Sequence, residues 1–133
     1  MSTIFKISEA ANIAIHSMAV IARSKSQLNA QQVAAITGFS KNHTAKVLQQ
    51  LAKNHLLESV RGPGGGFSLG QRAKDISLLN VYQLIEGEPE AIHCKMDGSR
   101  CPFESCIFGN LHRKFNEEFK QFMHNKKLAS FGA

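Results

Sequence analysis

Apolar residues recur at helical spacing from the start of the chain. Between Ser8 and Ser24, Ala11, Ala14, Ile15, Met18, Ile21 and Ala22 fall three and four apart and form one stripe. Ser8 can cap this predicted helix, and Glu9 in its first turn suits the positive end of the helix dipole. Glu9, Asn12 and His16 lie on a different face. That face is either solvated or meets something outside its own helix. A second helix is predicted from about Asn29 to Thr37, where Gly38 breaks it. Ser40 then caps a third helix running to about Asn54. Val33, Phe39, Val47, Leu48 and Leu51 supply a shared core, and Ala34 is small enough to let two helices approach. The order helix, glycine turn, helix is a helix-turn-helix pattern.

Two short strand-like runs follow, Leu56 to Arg61 and Gly66 to Leu69. Arg61-Gly-Pro-Gly-Gly-Gly66 joins them, a turn that excludes helix and leaves bare backbone for close approach to a surface. A hairpin placed directly after a helix-turn-helix is a wing, and Arg61 sits at its base. The glycines lack the Gly-Lys-Ser/Thr and the strand-to-helix context of a nucleotide loop. A further helix begins at Asp75 or Ser77, carries Leu78, Leu79, Val81, Tyr82, Leu84 and Ile85, and ends at Gly87. From about Pro102 to Lys127 a long helix is predicted, with Phe108, Leu111, Phe115, Phe119 and Phe122 as one narrow apolar seam. A helix of this length, ~30 Å, is too long for so small a core to cover. The expectation is a seam that packs on a second copy in a two-fold homodimer; the alternative is packing back onto its own domain.

Charge sharpens this picture. The chain has 133 residues and a formal net charge of +6. Six bases (Lys41, Lys46, Lys53, Arg61, Arg72, Lys74) against the single acid Glu58 fall between Ser40 and Lys74, on the predicted reader and wing. Basic faces also serve solubility, so charge alone does not select DNA. No run approaches the ~18 apolar residues that span a bilayer, and the amino terminus lacks the unbroken apolar core of a secretory leader.

The three cysteines, Cys94, Cys101 and Cys106, all lie in His93-Cys-Lys-Met-Asp-Gly-Ser-Arg-Cys-Pro-Phe-Glu-Ser-Cys106. An odd count in one short segment is unlike structural disulfide pairing and fits a reducing cytoplasm. Thiolates are soft ligands for iron–sulfur clusters or zinc. Zinc sites favour closely paired Cys-x2-Cys ligands, which are missing here. A zinc-stabilised adaptor and a metal-free thiol switch remain as alternatives. A redox enzyme would need nucleotide or Cys-x2-Cys motifs that the chain lacks, so it reads as a non-enzyme.

Val60-Arg-Gly-Pro-Gly-Gly-Gly-Phe-Ser-Leu69, preceded by Ser40-Lys-Asn-His-Thr-Ala-Lys-Val-Leu-Gln-Gln-Leu51 and followed by the cysteine trio, resembles the IscR/NsrR family of bacterial transcription regulators. The resemblance covers nearly the whole chain. It implies a mainly α fold: a winged helix-turn-helix domain with a two-stranded wing (residues 1–87), a cysteine-rich cluster loop (88–106), and a long dimerisation helix with a C-terminal tail (107–133). It implies a cytoplasmic DNA-binding regulator, a repressor in the first instance. Its affinity for a double-stranded operator would depend on a 2Fe–2S or 4Fe–4S cluster held by Cys94, Cys101 and Cys106. The DNA-contacting set would be Ser40, Lys41, Asn42, His43, Thr44, Lys46, Arg61, Gly62, Gly64 and Gly65.

Two departures concern the fourth ligand, and one concerns base reading. The cluster-supply regulators carry a ligand histidine three residues after the third cysteine, where this chain has Gly109. On a continuous helix His112, six residues after Cys106, falls ~240° around the axis, so it is a poor replacement. The nitric-oxide sensors complete the site with an aspartate from the partner's first helix, and Asn12 takes that position here. The candidates for the fourth ligand are therefore Glu9 or Asn12 from the second copy of the chain, His93 beside Cys94, or a small exogenous ligand. The recognition-helix glutamate that reads bases in the cluster-supply regulators corresponds to Ala45, so their DNA preference does not carry over.

Overall fold

The computed structural model describes residues 5–88, 96 and 100–132. Among these are five α-helices: α1 (Glu9–Arg23), α2 (Ala30–Thr37), α3 (Lys41–Lys53), α4 (Leu78–Glu86) and α5 (Leu111–Asn125). Strands β1 (Leu57–Val60) and β2 (Gly66–Leu69) form one antiparallel pair, with Leu57 opposite Leu69 and Val60 opposite Gly66. Short 3₁₀ turns occupy Ala73–Asp75 and Leu128–Phe131. The architecture is a winged helix-turn-helix, as the sequence pattern predicts.

Local chemistry sets the helix starts. The Ser8, Asn29, Ser40 and Ser77 side chains each accept a backbone N–H of the first turn they precede. Asn29 with Gln32, and Ser77 with Asn80, do so reciprocally as capping boxes. Each such cap contributes about 1 kcal/mol. Gly38 closes α2 at φ 83°, a left-handed angle that a side chain would oppose, and this sets the helix-turn-helix corner.

The core gathers around α1. Ala11, Ile13, Ala14, Ser17, Met18 and Ile21 are its buried residues. They pack with Val33 of α2, Val47, Leu48 and Leu51 of α3, Leu57 of β1 and Leu78 and Val81 of α4. Phe39 is half-buried and lies against the same cluster.

The C-terminal part differs from the expected single seam. Residues 101–110 are not helix, and α5 starts only at Leu111. Its 15 residues are ~22 Å long at 1.5 Å per residue. Its apolar residues divide between two faces. Phe119 and Met123 turn inward, Phe119 making an edge contact with Tyr82 of α4 at 5.2 Å and Met123 joining the core. Burial raises the pKa of the Tyr82 phenol, and nearby Glu86 raises it further. Leu111, Phe115 and Phe122 are exposed, about 90° around the helix from the inward pair. A contiguous heptad reading missed this split, because the inner partner is set by tertiary packing.

Beyond α5 the tail returns to the winged domain. The Leu78 N–H donates to the Lys126 carbonyl and the Leu128 N–H to the Ile76 carbonyl, both at 2.9 Å. Leu128 is fully buried. Met123 of α5 and Leu128 beyond it therefore hold a structural share of the same core. Leu128→Ala should lower unfolding stability by about 2–4 kcal/mol, the usual cost of a buried large-to-small change. Urea denaturation followed by circular dichroism measures it, and a loss under about 0.5 kcal/mol would contradict the tail's place in the core.

Candidate functional site

Two groups of residues stand apart on this scaffold: an exposed helix face with the adjoining wing, and the cysteine turn ahead of α5. On α3, Ser40 accepts the His43 N–H at 3.1 Å and so spends its hydroxyl on the cap. Lys41, Asn42 and Lys46 are exposed. Gln49, Gln50 and Lys53 are exposed as well, and Asn42, Lys46, Gln49 and Lys53 fall within about 60° of helix surface. The reading from sequence stopped at Lys46, although helical spacing alone would have extended the face. Thr44 is fully buried, and its hydroxyl has no hydrogen-bond partner among the described residues. Its side chain therefore belongs to the core and is absent from the exposed face. In the wing, Arg61, Gly62 and Gly64 are exposed and Gly65 is half-buried.

The polar face of α1 meets the reader. Glu9 Oε1 lies 3.6 Å from His43 Nδ1, with both groups substantially exposed. His16 packs edge-on against Phe39 at 6.0 Å, and its Nδ1 pairs with the Asn12 carbonyl at 2.8 Å. Asn12 is half-buried. Glu9 and His16 thus touch the helix-turn-helix of their own chain.

His93 and Cys94 lie outside the described residues. Cys101 and Cys106 are both free thiols of intermediate exposure. They line a common cavity of about 550 Å³ together with Met96, Phe103, Glu104 and Arg113. A smaller, almost wholly apolar cavity of about 80 Å³ adjoins both sulfur-bearing residues and adds Pro102, Ile107 and Phe108. Neither cavity includes Glu9 or Asn12 in its lining. Among the described residues, no three His, Cys, Asp or Glu side chains gather closely enough to hold a metal ion.

The turn from Cys106 to Asn110 carries the clearest chemistry. Gly109 and Asn110 both take φ 59°, and the Gly109 N–H donates to the Cys106 carbonyl at 3.0 Å. The backbone N–H groups of Asn110 and then Phe108 favour the Cys106 thiolate, with smaller help from the Gly109 N–H and the Arg113 charge. Together they hold the thiol below its ordinary pKa against the opposing effect of desolvation. A concave set of N–H groups at a helix start stabilises a thiolate, the form that binds metal or attacks electrophiles. The same turn corrects the reading of His112. Because residues 106–110 are not helical, the angular rule does not apply across them, and His112 lines the cavity that contains Cys101 and Cys106.

Comparison with known proteins places this geometry. A family model described as "Rrf2: Iron-dependent Transcriptional regulator" matches residues 7–133. The chain is 32% identical over 91 residues to the "HTH-type transcriptional regulator IscR" of Klebsiella pneumoniae (strain 342), covering 68% of this chain and 56% of that protein. It is 31% identical over the same length to the IscR of Escherichia coli O1:K1 / APEC. The matched segment therefore spans about half the length of these curated relatives. Among solved structures, CymR (YrzC), titled the global cysteine regulator of B. subtilis, superposes with a TM-score of 0.76 at 18% identity over 95% of both chains. The T. potens IscR superposes at 0.72 and 20% identity, over 94% of this chain and 84% of that one. At these identities the structural likeness establishes the fold alone.

The depressed Cys106 thiol has a direct consequence in reduced, metal-free protein. Its alkylation by iodoacetamide, followed on the Cys106 peptide by mass spectrometry from pH 5 to 10, should reach half its maximal rate below the ordinary thiol value of about 8.5. A midpoint at or above that value would show that the turn's N–H groups do not act on the sulfur.

Proposed function

Because this chain belongs to the Rrf2 family of transcriptional regulators, we propose that it binds double-stranded DNA as a homodimer and acts as a repressor. Its DNA affinity is set by an iron–sulfur cluster, 2Fe–2S or 4Fe–4S, held by Cys94, Cys101 and Cys106. Members of this family are regulators and not enzymes, in keeping with the absence of catalytic motifs. The observation that carries the reading is the shared cavity of Cys101 and Cys106 immediately ahead of α5. From there α5 packs on α4, α4 on α1, and α1 on the recognition helix α3.

The donor chemistry fits such a group. Two thiols share a cavity with an apolar annexe, and the turn at Cys106 favours the thiolate. Bound there, an iron–sulfur cluster supplies a centre sensitive to redox state and to small ligands such as nitric oxide. His112 lines the same cavity and so joins Glu9, Asn12 and His93 as a candidate for the fourth ligand. The exposed Leu111, Phe115 and Phe122 of α5 supply the face for a second copy. Lys41, Asn42, Lys46 and Arg61 supply cations and an amide for phosphate and base edges.

A specific observation favours a second reading, a metal-free thiol switch. The same depressed Cys106 pKa would make a half-exposed cysteine reactive without any cluster. Iron and sulfide analysis of anaerobically purified protein separates the two. A colourless, iron-free preparation whose DNA affinity responds to thiol oxidants favours the switch.

Anaerobic reconstitution should give a visible chromophore that Cys94→Ala, Cys101→Ala or Cys106→Ala each abolishes while leaving a folded dimer. His112→Ala should shift the spectrum if that imidazole is the fourth ligand, and leave it unchanged otherwise. Destroying the cluster should change affinity for DNA fragments enriched from a genomic pool by roughly 5–150-fold. Equal affinity before and after would overturn cluster control. Separately, Phe115→Glu with Phe122→Glu should convert the dimer to a monomer by light scattering, and a persistent dimer would place the interface elsewhere.

A further inference from the structure

The wing is held in place from outside the hairpin. Gln27, in the linker between α1 and α2, donates from Nε2 to the Gly64 carbonyl at 2.9 Å, across 37 residues of sequence. Gly64 is at the tip of the Arg61–Gly66 turn, where Arg61, Gly62 and Gly64 are exposed.

The linker is fixed on both sides of Gln27. On its amino side the Ser24 hydroxyl donates to the Ser26 carbonyl at 2.6 Å and accepts the Ser26 N–H. On its carboxyl side Leu28 exchanges two backbone hydrogen bonds with Phe67, at 3.1 and 2.7 Å, as a third short rung beside β2. Asn29 is then locked in the α2 capping box. Gln27 therefore projects from a rigid base.

The approach of linker to wing depends on glycine at one point. A Cβ on Gly66 would stand 2.6 Å from the Leu28 carbonyl carbon, with backbone on every near side, so β2 can lie on the linker only without a side chain there. That contact brings the base of the wing against residue 28. It leaves the tip, from Arg61 to Gly65, to be held by one internal bond, Gly65 N–H to the Gly62 carbonyl at 2.9 Å, and by the Gln27 amide.

We propose that Gln27 is a positioning residue for the wing: through the Gly64 carbonyl it sets the tip, and Arg61 beside it, in the pose that meets DNA. The inference rests on the DNA-binding reading above, and it adds a residue that does not itself touch DNA. An uncharged residue acting this way should change affinity without changing the number of phosphate contacts. It should also act through Arg61, so that its loss counts little once Arg61 is gone.

The test uses the full chain in two arms. In the first, hydrogen–deuterium exchange is followed at the Gly65 and Gly66 amides of free protein. Gln27→Ala should speed exchange there at least fivefold, with the thermal midpoint unchanged within about 2 °C. Unchanged exchange would overturn the proposal whatever DNA does. In the second, binding to a fluorescein-labelled 30-base-pair mixed-sequence duplex is measured by anisotropy between 50 and 200 mM NaCl. Gln27→Ala should weaken binding about threefold to tenfold, the worth of one such hydrogen bond, with the slope against salt unchanged. Arg61→Ala should reduce that slope by about one contact. The double variant should match Arg61→Ala within twofold. Independent, multiplying losses would overturn the proposal, as would a Gln27→Ala protein that binds like wild type. Wild-type protein that fails to bind the duplex in a salt-dependent way would instead defeat the DNA-binding reading, and the exchange arm would still decide whether Gln27 holds the wing.

Discussion

The buried face of α1 is the constraint on which the rest depends. α2, α3, α4, the β2 strand of the wing and the C-terminal 3₁₀ turn all pack against this one helix. Two features of its sequence permit that. Ile13, Met18 and Ile21 provide the apolar area, and burying side chains of this size contributes about 1.5–3 kcal/mol each. Ala11, Ala14 and Ser17 are small and fully buried, so several neighbours can approach the axis closely. Ser17 adds a cost, since its hydroxyl has no partner among the described residues. A helix that must touch five elements has little freedom to move alone. Displacement at one of its contacts is felt at the others.

Much of the fold was legible because its signals are local. Ser8, Asn29, Ser40 and Ser77 announce helix starts, and Gly38 and Gly87 announce helix ends, through chemistry confined to four or five residues. The glycine run and the alternating residues beside it specify the hairpin in the same way. What escaped depends on contacts between distant residues. Phe119 looks like a member of the same seam as Phe115, and its contacts with Tyr82 and Phe5 turn it inward. Leu128 resembles a residue of a tail until its backbone pairs with Ile76. Thr44 sits among polar neighbours on α3, yet tertiary packing buries it completely.

The cysteine site shows the same division. The trio and its loop-like surroundings were plain in the sequence, since three thiols in so short a segment have few other uses. The position of His112 was not. A rule of 100° per residue holds only within one helix, and the left-handed Gly109 and Asn110 break the path from Cys106 to α5. The departure that removes a histidine at position 109 therefore coincides with backbone geometry that a glycine supports and that returns a later histidine to the cavity.

The first turn of α1 makes polar contacts with both α4 and α3. The Ser8 hydroxyl donates to Glu86 at the end of α4, just ahead of the cysteine segment, and Glu9 faces His43 at the start of α3. Ser8 also caps α1 through the Ala11 N–H. These polar contacts are exposed, and an exposed polar pair such as Glu9 with His43 is worth at most about 1 kcal/mol even when fully charged. They cannot supply a large coupling free energy alone. The packed helices can, because close-packed interfaces resist continuous deformation and tend to settle in discrete arrangements. On that argument the polar contacts report the register of α1 against its neighbours, and the buried stripe of α1 carries the packing energy between α4 and α3.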